Sequence, residues 1–155
     1  MNCVIWLILS GLVFSSYNVF IVAKYGVPYS VSKSFYKLHN NFRFMFTIML
    51  WGFSFSIFMS SPSVLMFMAM GCMFFVAASP QVNEKRIKLV HVIFAVSGTA
   101  CGLLSIVFDD GNYWVFGGII VGVGILALKK PKNYVFWLEL VAFYGIIISK
   151  GLLLL

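Results

Sequence analysis

The sequence predicts an all-α fold, a polytopic membrane bundle of six transmembrane helices, and three observations carry that prediction. Of the 155 residues, 62% are hydrophobic and only 10% are charged, against about 45–50% and about 25% in soluble domains. The mean hydropathy is +1.02. Six apolar runs separated by polar gaps account for nearly the whole length, because a spanning helix needs about 20 mostly apolar residues. One bundle, 1–155, is therefore expected, with no soluble domain beside it.

The first run, 2–23, lacks the basic n-region of a secretory signal and is followed by further spans, so it reads as a retained helix. Lys24 opens a polar stretch that ends at Arg43. The second run, 44–59, stops at Ser60-Ser61-Pro62-Ser63, and the third, 64–78, follows at once. So short a link forces two antiparallel neighbours. Ser79-Pro80 ends the third helix, since proline lacks an N–H and restricts the residue before it. The fourth run, 89–108, closes on Asp109-Asp110-Gly111-Asn112, a turn sequence whose glycine tolerates positive φ. The fifth, 113–128, leads into Lys129-Lys130-Pro131-Lys132-Asn133, and the sixth covers 134–155.

Charge then orients the bundle. Ten of the eleven Lys and Arg residues fall in three gaps: Lys24, Lys33, Lys37 and Arg43; Lys85, Arg86 and Lys88; Lys129, Lys130 and Lys132. The two other gaps hold none, and one of them holds both aspartates. Lys and Arg are retained on the cytoplasmic side, so gaps 24–43, 80–88 and 129–133 are expected there, with the N and C termini outside. The expected location is a bacterial cytoplasmic (inner) membrane. Tyr113 and Trp114 suit an interfacial aromatic belt. The net charge of +7 does not imply nucleic acid as a partner. Dispersed over membrane loops, these ten cations suit the bilayer's anionic headgroups.

Polar residues inside the spans are the functional candidates, because a charge at a helix centre costs about 2.5–3.5 kcal/mol to insert. Lys150 lies near the outer end of the last helix, where its stem is expected to snorkel to the headgroups. Glu139 lies six residues past Asn133, roughly 9 Å along the helix, and should point into the bundle. His91 enters from the same side, three residues past Lys88. Ser15, Ser16, Asn18 and Ser79 fall at a similar depth. These six residues form a candidate polar pocket open to the cytoplasm, although satisfied interhelical hydrogen bonds explain the same set. Gly98 and Gly102, and Gly118 and Gly122, lie four apart and read as helix-packing faces. Such faces also suit a homo-oligomer.

No metal site, cofactor or catalytic residue is assigned. Zinc hydrolysis wants three protein ligands, and only His39 and His91 are available. Cys3, Cys72 and Cys101 sit in apolar runs without CxxC spacing and read as packing residues. A Ser79-His91-Glu139 arrangement lacks an elbow such as GxSxG.

VPYSVSKSFYKL after the first helix, GCMFFVAASP ending the third and VHVIFAVSG opening the fourth, roughly a third of the chain, resemble small six-helix membrane proteins of Bacteroidota and their phages. More remotely, a small-residue third helix ending in proline, then a helix with His in its first turn, is similar to the six-helix branch of the superfamily that includes alkaline ceramidases and adiponectin-type receptors. That resemblance implies the fold. Hydrolases of the superfamily use a Ser, an Asp and three His around zinc, and the single intramembrane His91 argues against that activity here. The function expected from the residues is a non-catalytic integral membrane protein whose cytoplasm-facing polar cavity binds a lipid or a partner helix. A small proton-coupled transporter or channel is the alternative, and a membrane-embedded lipid hydrolase is the second alternative.

Overall fold

The computed structural model of the chain describes residues 3–79 and 85–154, and for residues 85–88 the helical backbone alone. Gap residues 80–84 and the side chains of Lys85, Arg86 and Lys88 thus lie outside the described residues. The described residues form six α-helices: α1 (Cys3–Tyr25), α2 (Phe44–Ser60), α3 (Val64–Ala78), α4 (Lys85–Phe108), α5 (Tyr113–Lys129) and α6 (Tyr134–Leu152). Two 3₁₀ segments, Ser32–Lys37 and Asn40–Phe42, lie between α1 and α2. No strand occurs among the described residues. Four segments, Cys3–Tyr25, Asn40–Ser60, Leu89–Phe108 and Tyr134–Leu152, are long and apolar enough to cross a membrane. α3 and α5 are apolar but shorter, with 15 and 17 residues.

Local chemistry sets the helix ends. Ser63 caps α3 by accepting the Met66 N–H at 3.1 Å, satisfying a donor that the first turn leaves orphaned. Gly111 takes φ +65° in the Asp-Asp-Gly-Asn turn, as a residue without Cβ can. The α5–α6 link needs the left-handed region twice without glycine, at Lys130 (φ 39°) and Asn133 (φ 61°). Asn133 tolerates it well, and its Nδ2 donates to Val27 O at 2.9 Å.

α1, α2, α3 and α4 pack in sequence order, while α6 touches α1, α2, α4 and α5 and so lies at the heart of the bundle. α5 packs mainly on α6 and α4, and its buried residue is Ile119. Phe14, Phe53 and Phe143, from α1, α2 and α6, meet with ring centroids 5.0–5.3 Å apart. Further along, Ile57, Ile106, Ile119 and Ile146 form an aliphatic core.

The glycine expectations divide. A Cβ on Gly98 would lie 2.8 Å from Cys72 Cβ, and one on Gly102 would lie 2.7 Å from Ile146 Cδ1. Both are close-approach positions. Gly122 has ordinary contact with Val141 at 3.5 Å, whereas nothing lies within 4 Å of a Cβ on Gly118. Gly118 is therefore not a packing position within the chain, because α5 turns that face away from α4 and α6. The tight glycine on the α5–α6 contact is Gly145, where a Cβ would run into Ile119 Cδ1.

Candidate functional site

The helices have two ends of opposite charge: a basic end, with the 24–43 and 129–133 links, and an acidic end, with Asp109 and Asp110. At the basic end the stretch after α1 reads as a polar loop in sequence, yet half of it sinks into the bundle. Val31, Phe35 and Leu38 are buried in the main core. Eight hydrogen bonds hold the stretch in place. Phe136 N donates to Tyr29 O at 3.0 Å, Asn133 holds Val27 O, and Lys37 Nζ reaches the carbonyls of Tyr25, Gly26 and Val27 at 3.0–3.3 Å. Ser34 Oγ donates to Val31 O at 2.5 Å and hydrogen-bonds Tyr17 Oη at 2.6 Å. The Val31 N–H donates to Glu139 Oε2 at 2.5 Å.

That last bond gives Glu139 its place. It does turn inward from α6, and what it meets is an amide at the start of a 3₁₀ segment. The other candidates are dispersed. His91 Nδ1 is hydrogen-bonded to Ser79 Oγ across the α3–α4 corner, and Ser79 also bonds Val76 O at 3.0 Å. Asn18 Nδ2 donates to Phe14 O at 2.8 Å, one turn back on its own helix, and its buried Oδ1 has no partner. Ser15 meets Tyr144 Oη at 2.8 Å, and Ser16 is exposed. Ser79 and His91 therefore meet, but Glu139 and Asn18 each bond elsewhere. A common depth in the bundle does not make them one pocket. Glu139, committed to Val31, is not the carboxylate that would orient the imidazole of the Ser79–His91 pair.

The acidic end holds what sequence reasoning missed. Lys150, expected to snorkel outward, is 1% exposed, and its Nζ pairs with Asp110 Oδ1 at 2.6 Å, both side chains being fully buried. Ser149 Oγ donates to Asp110 Oδ2 at 2.6 Å, and Asn112 Nδ2 donates to both the carbonyl and the hydroxyl of Ser149 at 3.0 Å. Ser63 Oγ donates to the neighbouring Asp109 Oδ2 at 2.5 Å. The reason for the correction is geometric: the α4–α5 turn folds over the end of α6, so the ammonium finds a carboxylate nearer than water. One signal in the sequence pointed there. A lone intramembrane lysine and the chain's two aspartates fall at the same predicted end of the bundle.

No three or more His, Cys, Asp or Glu side chains among the described residues group closely enough to hold a metal ion. The basic end also carries ordered cations. Lys24 Nζ lies 5.4–5.8 Å from the ring centroids of Phe20, Tyr25 and Phe42, and the Arg43 guanidinium lies 5.2 Å from that of Phe35. Arg43 Nε is buried without a partner. No protein-family model, no curated protein and no solved structure matches the chain.

Proposed function

We propose that this chain is a non-catalytic integral membrane protein of six spans, with both termini outside and the basic end in the cytoplasm, and that the basic end binds an anionic lipid. The charge distribution supports the orientation: ten cations lie in the three gaps of one end, against Glu84 and Glu139. At about 22 and 26 Å, α3 and α5 are shorter than a hydrocarbon core of about 30 Å. They span it with local thinning of the bilayer, which costs fractions of a kcal/mol per Å.

The observation that carries the lipid reading is the Arg43 guanidinium. It is held against Phe35 on a docked loop, with a buried Nε that lacks an acceptor, while the carboxylate of Glu139 is taken by Val31. The remaining N–H groups of this guanidinium offer a phosphate oxygen paired, charge-assisted donors. Lys24, on its aromatic cradle, adds charge beside Phe42.

The test is native mass spectrometry of the protein released from nanodiscs containing phosphatidylglycerol and phosphatidylcholine. Phosphatidylglycerol should be retained in excess, and Arg43→Gln should reduce that excess about fivefold, the equivalent of about 1 kcal/mol per surface charge. Retained lipid that simply mirrors the nanodisc composition, with or without the substitution, refutes lipid selectivity. Cysteine accessibility at the 129–133 link and at the termini, measured in intact spheroplasts, tests the orientation separately.

A further inference from the structure

Midway along the bundle α2, α3, α4 and α6 line a small, partly open cavity, with room for about one water-sized occupant. Three of its lining residues are Met66, Met70 and Met73 of α3. Their spacing of four and three places them on one helical face. A fourth methionine of the same helix, Met68, points away and is 52% exposed. Methionine alone is good core filler, so the stripe needs a second observation. Ser54 of α2 supplies it: the residue is 2% exposed, its hydroxyl has no hydrogen-bond partner, and it lines the same cavity. Serines in buried helices ordinarily bond a carbonyl of the preceding turn, as Ser60 and Ser105 do here.

The lining selects among occupants. Water needs two to four polar partners, and the unpartnered hydroxyl of Ser54 is one. Divalent and hard cations want carboxylate or carbonyl oxygen, and no carboxylate lines the cavity. Thioethers are soft, neutral ligands that select copper(I). Phe53 and Phe143 also line the cavity, their ring centroids 5.3 Å apart. We propose that Met70 and Met73, together with the Ser54 hydroxyl and with Met66 once its Sδ gives up the hydrogen bond it accepts from Ser105 Oγ at 3.1 Å, which leaves that hydroxyl its bond to Gly102 O, form a binding site for a soft monovalent cation, copper(I), inside the bundle. The site does not rest on lipid binding at the basic end.

The full-length protein in detergent is titrated anaerobically with copper(I), against a chromogenic copper(I) chelator, and with silver(I) as a second probe. One ion should bind per chain, with a sulfur shell in X-ray absorption, and excess zinc should not displace it. Met70→Leu and Met73→Leu conserve volume, and each should weaken binding at least about tenfold, since loss even of an outer-shell partner costs about 10–100-fold. Three results would each overturn the site: no retained copper(I) or silver(I) in folded wild type, a shell without sulfur, or binding that survives the methionine variants and disappears in Cys72→Ser or Cys101→Ser. Should a leucine variant fail to fold by circular dichroism, the wild-type sulfur shell and the cysteine variants still decide.

Discussion

At the acidic end of the bundle Asp110, Asn112, Ser149 and Lys150 share one connected network, whereas at the basic end Glu139, His91, Asn18 and Ser15 each bond a different partner. Both sets combine polar side chains from different parts of the chain at one level of the bundle. The difference lies in what surrounds them. Asp110 and Asn112 ride on a tight turn that closes over the end of α6, so four polar groups have few other partners. At the basic end the docked 26–43 stretch brings its own amides and carbonyls, which take up Glu139, Asn133 and Lys37 one by one. Shared depth creates the opportunity for a polar cluster. The local supply of backbone partners decides whether it forms.

The comparison breaks most readily at the ion pair. Asp110→Ala leaves the Lys150 ammonium buried without its counter-charge, an effect of about 3–5 kcal/mol. Thermal unfolding in detergent should show a large loss, and Asp110→Ala with Lys150→Met should recover much of it. Equal melting of the single and double variants would mean that Lys150 reaches water after all. Next in size is Gly145→Ala, which drives a Cβ into Ile119 and should cost about 1–3 kcal/mol by overpacking. Gly118→Ala, by contrast, meets open space and should stabilise by up to about 0.5–1 kcal/mol through helix propensity. Reversal of that order would move the packing face of α5 back to Gly118.

At the basic end, Glu139→Ala strands the Val31 amide at about 1–3 kcal/mol, while Glu139→Gln keeps an acceptor and should lose less. Hydrogen exchange over residues 26–43 reads this directly. The amides there should exchange faster in the alanine variant than in the glutamine variant, and identical protection in both would detach Glu139 from the loop. The smallest effect is expected for His91→Ala, since interhelical side-chain bonds in membrane proteins average about 0.6 kcal/mol. A loss as large as that of Asp110→Ala would show that the basic end is coupled as tightly as the acidic end.

Much of the fold is legible in the chain. The edges of α2, α3 and α5 fall within about two residues of the apolar runs, because proline, glycine and polar clusters end helices through local sterics and hydrogen bonding. The inward turn of Glu139 also follows from sequence, since its side chain is too short to reach water from that depth. Its partner does not. Val31 lies 108 residues away, in a stretch whose serines and lysines mark it as solvent-facing while Val31, Phe35 and Leu38 bury themselves. The open space at Gly118 has the same origin: glycine spacing marks a face, and the placement of α5 at the margin of the bundle determines whether anything within the chain covers it.

By itself the sequence determined the class, the number of apolar helices, their order and the charge polarity of the two ends, all of which follow from composition and from interactions between near neighbours. The tertiary structure alone decided that Lys150 pairs with Asp110, that Glu139 holds a loop while His91 bonds Ser79, and that three methionines of α3 and an unbonded Ser54 line one cavity. Each of these depends on which helices lie side by side. In an almost uniformly apolar chain, close packing and the pairing of a few polar groups choose among arrangements that hydropathy leaves equivalent.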